Sequence, residues 1–369
     1  MRDYCGYRCH LAFKRAGIAA LRTAVRIRLT ARPAAPVKVP SGTVVLLDRC
    51  LGIGDALMIS PALRLLEPLG PVTVVTALPP VLDWTGEWRR CADWAGMVAA
   101  VNELAADGRL LLVPKLGVRG LITLLRWPGA VPAGVVRLDE TRWLDAAGGR
   151  SGTIAAGHYT EGALACAWAL LNRSGAETPP RLPPLVAARL PTELPDGPLV
   201  ALAPRATSRI RIWPLPYWRA LVLRLAEARP ELRFVLLGSA EERVFGDEIG
   251  TEPPIYNLMG RLSLAETAAV IARSAVLVAC DNGLMHIGLG TDTPLVAVFG
   301  STPPMARLCG SNWRLAYDPA LCPRGLAPCY PDLHRDPSCP TEIECLTGLS
   351  PERVAGLALE LLDQGTAQS

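Results

Sequence analysis

Along this chain, short apolar runs ending in glycine, serine or acidic residues alternate with stretches in which apolar positions recur every three to four residues. The first pattern predicts buried parallel strands and the second helices, so their alternation predicts an α/β fold with ligand loops along one sheet edge. In the first half, the run from Thr43, Val72–Thr76, Leu110–Val113 and Ala133–Leu138 read as strands. Helices are expected after Asp55, over Trp88–Ala99 and over Gly162–Leu170, and the Trp- and Gly-rich stretches Leu78–Trp94 and Trp143–His158 read as loops where an acceptor would be held. Residues 177–198 carry proline too often for a regular helix or central strand, which makes them the connector between two domains, 43–176 and 199–350. The second domain repeats the logic. Strands are expected at Leu199–Pro204, Arg233–Leu237, near Tyr256, Val276–Ala279 and Leu295–Phe299. Helices are expected at Leu215–Ala228, from Glu241, at Leu264–Ser274, at Leu284–Gly290 and at Pro351–Leu362, within the tail 351–369.

A chain of 369 residues exceeds the usual size of one core, which agrees with two domains. Half of the residues are hydrophobic, yet no stretch approaches the roughly 18 uninterrupted apolar residues of a spanning helix. The first residues break their apolar positions with arginines and lack a secretory cleavage pattern, so a cytoplasmic location is expected. Within segment 1–42, Leu11, Ile18, Leu21, Val25 and Leu29 share one helical face and Lys14, Arg15, Arg22, Arg26 and Arg28 supply basic positions. Over residues 11–29 this suits either a peripheral contact with an anionic inner membrane or docking on the chain's own domain. A formal charge of +4 is too mild to argue for nucleic acid. Eleven scattered cysteines read as small buried hydrophobes in a reducing compartment. The tail cysteines Cys322, Cys329, Cys339 and Cys345 lack the short Cys-x-x-Cys pairs of a zinc site, and no metal is expected.

Chemistry concentrates where strands give way to helices. Asp281-Asn282-Gly283-x-x-His286 lies between two apolar strands and opens a helix, whose unpaired N–H groups and positive dipole end suit a phosphate. Gly300-Ser301-Thr302 offers a second small-residue loop after the next strand, so a nucleotide diphosphate is the expected guest. The competing structural reading makes Asp281 a helix cap and His286 a buried core histidine. Thr207, Ser208, Arg209 and Arg211 add hydroxyls and guanidinium forks on a third loop. In the first domain, Gly52 and Gly54 make the tight turn after the first strand and Asp55 opens the helix, either as a cap or as a base facing the ligand edge. A third glycine and a following acidic residue are missing, which argues against a nicotinamide cofactor.

In their order, these motifs resemble glycosyltransferase family 9, most closely its heptosyltransferase II type. The resemblance runs from Thr43 to Val354 through Gly52-Ile53-Gly54-Asp55, Pro61-Ala62-Leu63, Trp213-Pro214, the Asp281–His286 motif, Phe299–Pro304 and the cysteine- and proline-bearing tail. It implies a GT-B fold of two Rossmann-like parallel-sheet domains facing a cleft, with the last helix packing back on the N-terminal domain. It implies an inverting transferase that takes a sugar from a nucleotide-sugar donor, ADP-heptose, to a lipid-linked saccharide of the lipopolysaccharide or another cell-surface glycan, without a metal. On these positions Asp55 would be the general base and Arg211 would stand where the family usually has a phosphate lysine. Thr207, Ser208, Asp281, Asn282, Gly283 and His286 would close the donor site, with Glu241 or Glu242 reaching the ribose. Two departures stand out: Asn282 replaces the family's usual Ser or Thr, and Pro204-Arg205-Ala206 replaces a glycine-rich loop. A UDP- or GDP-sugar donor, or a non-catalytic nucleotide-binding scaffold at the membrane, remain the alternatives.

Overall fold

The structure is a computed structural model. It describes residues 2–35, 37, 40–47, 52–114, 118–137, 142–145, 151–153, 159–171, 179, 181–192, 194–250, 255–325, 327–329, 339 and 341–366. The segment 48–51 before the Gly52 turn and most of the Trp143–His158 stretch therefore lie outside the described residues. The chain divides into two compact units, Met1–Leu182 and Pro183–Ser369, and the division falls inside the proline-rich connector.

The first unit contains α1 (Arg2–Ala31), β1 (Thr43–Leu46), α2 (Ile53–Leu66), β2 (Val72–Thr76), β3 (Glu87–Arg90), α3 (Trp94–Ala106) and β4 (Leu110–Val113). It continues with α4 (Val118–Leu125), β5 (Gly134–Arg137), β6 (Arg142–Asp145), β7 (Ser151–Thr153) and α5 (Tyr159–Leu170). Its sheet runs β3-β2-β1-β4-β5-β6-β7, parallel through β5 and antiparallel thereafter. The fully buried β1 and β2 explain their unbroken apolar sequences. The helix expected over Trp88–Ala99 is a correction. Glu87–Arg90 instead pairs with β2 as an edge strand, half exposed and therefore without an apolar run to announce it. The helix starts only at Trp94, where the Asp93 side chain accepts the Gly96 N–H at 2.8 Å as an N-cap. β6 and β7 likewise correct the loop expected from Trp143.

Helix α2 carries Pro61 in its interior. Proline has no N–H for the Leu57 carbonyl, and the Ser60 hydroxyl donates to that carbonyl instead at 2.7 Å. The same hydroxyl accepts the Leu182 N–H at 3.0 Å, and Thr160 of α5 donates to the Met58 carbonyl at 2.8 Å. These bonds fix the helix that carries Asp55. The basic face of α1 is also put to structural use: Val25 and Leu29 are buried in the core with Val44, Met97, Leu121 and Leu124. Arg28 donates to the Leu124 carbonyl at 2.9 Å and to those of Trp127 and Gly129, satisfying the open end of α4.

The second unit contains β8 (Leu199–Ala203), α6 (Leu215–Ala228), β9 (Arg233–Leu236), α7 (Arg243–Ile249), β10 (Ile255–Asn257) and α8 (Leu264–Arg273). It closes with β11 (Val276–Cys280), α9 (Gly283–Gly290), β12 (Leu295–Val298), β13 (Trp313–Ala316), α10 (Glu344–Thr347) and α11 (Pro351–Thr366). All six strands are parallel in the order β10-β9-β8-β11-β12-β13, the doubly wound arrangement whose direction of growth reverses between β8 and β11. The loops that follow β8 and β11 therefore flank the ligand crevice such sheets use. Terminal helix α11, expected from the sequence to pack back on the first domain, contributes Val354, Ala355, Ala358 and Leu361 to the second unit's core beside α6. β13 was not foreseen in the sequence and extends this sheet by one strand.

Candidate donor site

Asp281 follows the last residue of β11 and is 3% exposed. Burial on its own would push its carboxyl up, but Arg211, Arg307, a bond from the Thr302 hydroxyl and His286 together hold it below the ordinary aspartate range. Arg211 Nη1 reaches both the Asp281 carbonyl oxygen at 3.1 Å and its Oδ2 at 3.3 Å, while Nη2 donates to Thr207 Oγ1 at 2.7 Å. One carboxylate is thus faced by two guanidinium groups and an imidazole. Asp281 thereby holds the Arg211 guanidinium in place.

Asn282 is the N-cap of α9, its Oδ1 accepting the Met285 N–H at 3.0 Å. Its Nδ2 donates to the carbonyls of Ala203 at 3.0 Å and Arg205 at 2.7 Å, which ties the start of α9 to the loop after β8. That loop is pinned at its far end by Trp213, fully buried, whose Nε1 donates to the Leu349 carbonyl at 3.0 Å and whose backbone N–H meets Cys280 Sγ at 3.5 Å. Trp218 stacks edge-on against Trp213 with ring centroids 5.2 Å apart. The Trp213-Pro214 pair therefore serves as the anchor of the Arg211 loop. The Cys280 thiol, pushed up to about 12 chiefly by burial, donates to the Pro204 carbonyl and stays a neutral spacer between the two loops.

The remaining expected residues are distributed unevenly. Ser208 is buried, whereas Thr207 and Arg209 are exposed. His286 is buried on α9 and Gly283 opens that helix. Gly300, Ser301 and Thr302 are buried after β12. A Cβ on Gly300 would lie 2.6 Å from Leu346 Cγ and 3.1 Å from Cys345 Sγ, so this position packs closely against α10. After β9, Glu242 Oε2 accepts the Ser239 N–H at 2.9 Å as a capping group, which leaves Glu241 as the exposed carboxylate of the pair. Arg205 and Arg307 carry site charge that the sequence reading missed. Arg205 sat in a loop noted only for lacking glycine, and Arg307 follows a short turn with no local motif. Among the described residues, no group of three or more His, Cys, Asp or Glu side chains is arranged to hold a metal ion.

In the first unit, Asp55 sits at the third position of α2, where its Oδ2 accepts the Gly52 N–H at 2.8 Å. It is half-exposed, while Gly54 is buried and Gly52 exposed. One carboxylate oxygen caps the turn, so both readings of this residue, cap and base, are compatible with its place.

The family model described as glycosyltransferase family 9 (heptosyltransferase) matches residues 169–310, which include the Arg211 loop and the Asp281 turn. Over this segment the chain is similar to that family. The chain is 31% identical over 177 residues to lipopolysaccharide heptosyltransferase 1 of Pseudomonas aeruginosa, covering 44% of this chain and 47% of that protein. It is 32% identical over 116 residues to lipopolysaccharide heptosyltransferase 2 of Salmonella typhimurium, covering 30% and 33%. The chain thus spans half or less of the length of these curated relatives. Among solved structures, the Escherichia coli ADP-heptose lipopolysaccharide heptosyltransferase II superposes with a TM-score of 0.60 at 17% identity, covering 88% of this chain and 99% of that one. This likeness shows the fold as GT-B, built from two Rossmann-like units.

Proposed function

We propose that this chain is an inverting glycosyltransferase that moves a sugar, a heptose from ADP-heptose, to a lipopolysaccharide or related cell-surface glycan. The observation that carries the reading is the Arg211 fork, aimed by Asp281 and Thr207 at the topological switch point of a doubly wound sheet within the family 9 segment. The names of the relatives supply the donor and acceptor classes.

Asp55 takes the proton of the acceptor hydroxyl as that oxygen attacks the anomeric carbon from the face opposite the diphosphate. The bond from carbon to diphosphate breaks with inversion, and the leaving ADP carries away the electron pair. The growing negative charge is met by Arg211 together with Thr207, Ser208 and the start of α9. Glu241 is assigned to the ribose. No step requires a metal. A lipid-linked acceptor places the enzyme at the inner membrane surface. Since Val25 and Leu29 are spent on docking α1, any membrane contact through residues 11–29 rests on its basic side chains and the exposed Ile27.

The test is ADP release from ADP-heptose in the presence of truncated lipopolysaccharide, with the product's anomeric configuration read by NMR. Asp55→Asn is expected to lower turnover by about 10²–10⁴-fold while leaving ADP affinity unchanged. Unaltered turnover in Asp55→Asn would remove the base assignment, and turnover only with UDP- or GDP-sugars would replace the donor.

A further inference from the structure

Asn282 and Arg205 lie on facing loops that meet in space: the Asn282 amide donates to the Arg205 carbonyl at 2.7 Å. A serine or threonine at 282 could cap α9, but with one hydroxyl proton it could not also hold two carbonyls of the facing loop. The second bond, to Ala203 at 3.0 Å, fixes the backbone on the other side of Pro204. Between these ties the chain leaves the sheet with Arg205 in a set direction.

The Arg205 side chain is placed as well. Its guanidinium carbon lies 4.8 Å from the centre of the Phe245 ring on α7, a cation–π contact that holds the side chain in place. Its Nε is buried and has no hydrogen-bond partner, although a buried donor left unmatched is costly. Its charge acts on the Cys280 thiol at the end of β11, one residue before Asp281. Stacking on one face leaves the guanidinium edge for an acceptor, the arrangement in which arginine grips phosphate.

Resting on the function proposed above, we infer that Arg205 is a second phosphate-binding guanidinium of the donor site and that Asn282 is its positioning residue. The two residues form one unit: the Arg205 side chain makes a diphosphate contact, and the Asn282 amide fixes the backbone from which it does so.

The experiment is calorimetric titration of adenosine, AMP and ADP into the full chain, into Arg205→Ala, Asn282→Ser and the double variant, with each fold checked by circular dichroism. Arg205→Ala is expected to weaken ADP by about tenfold or more, AMP less and adenosine not at all, as for a charge-assisted phosphate contact. Asn282→Ser should reproduce part of the ADP loss, and the double variant should bind ADP no worse than Arg205→Ala alone, since both changes remove one interaction. Arg205→Lys keeps the charge without the planar fork and should fall between wild type and alanine. ADP affinity unchanged in Arg205→Ala, equal losses for adenosine and ADP, or additive losses in the double variant would overturn the inference. Absence of nucleotide binding by the wild-type chain would overturn the underlying function instead.

Discussion

The turn after β11 and the turn after β1 occupy equivalent places, each leading from a central strand into a helix, but they are held very differently. At the first, Asp281 is buried among Arg211, Arg307 and His286, and Asn282 binds two carbonyls and an N–H. At the second, Asp55 is half-exposed and its Oδ2 accepts the Gly52 N–H. The contrast suits a division of labour. A group that must meet charge on a leaving diphosphate gains from being fixed beforehand, because no reorganisation is then needed as the charge develops. A base must exchange its proton with substrate and solvent, and burial would shift its protonation.

The sharpest way to break this contrast is to remove the buried carboxylate. Asp281→Ala leaves the largely buried Arg211 guanidinium without its carboxylate, and should cost about 3–5 kcal/mol in the denaturant-unfolding free energy. Because the folded carboxyl sits below its unfolded value, its contribution is fully present above the ordinary aspartate range and is lost as pH falls through the folded value. Unfolding measured from pH 7 downwards should therefore show a steeper acid loss for wild type than for Asp281→Asn.

The two glycine loops sharpen the comparison at intermediate size. In Gly300→Ala the new methyl group presses on Leu346 and Cys345, and a loss of about 1–3 kcal/mol is expected in thermal or denaturant unfolding. Gly52→Ala has room, since among the described residues an added Cβ meets only Asp55 Oδ2 at 4.0 Å, and Gly52 has a negative φ of -104°. Its effect on the unfolding midpoint should correspond to less than about 0.5 kcal/mol. A Gly52 variant as damaging as the Gly300 one would mean that the first turn is as tightly packed as the second.

Much of this architecture was legible in the sequence where a single physical demand dominated. Val72–Thr76 and Leu110–Val113 are strands buried so deeply that every position is apolar or small, and their bounds could be read directly. The turn at Asp281–Gly283 was legible from its glycine and flanking strands, although the cap is Asn282 where the sequence offered Asp281. Edge strand β3 was not, since its exposed Glu87 and Arg90 give no periodic signal, and neither was the docking of α1, whose apolar stripe fits a membrane and a neighbouring helix equally well. At the site, the sequence brought Arg211 and Asp281 to light through motif spacing. The roles of Arg205 and Arg307 arise from contacts between loops separated by many residues, which no local pattern encodes.

The central claim is that the second unit binds a nucleoside diphosphate through the fork that Asp281 aims. Calorimetric titration of ADP, UDP and GDP into the wild-type chain and Arg211→Ala tests it most directly. The account predicts a preference for ADP and a loss of about tenfold or more in Arg211→Ala. Equal ADP affinity in the two proteins, or no nucleotide binding by either, would contradict it.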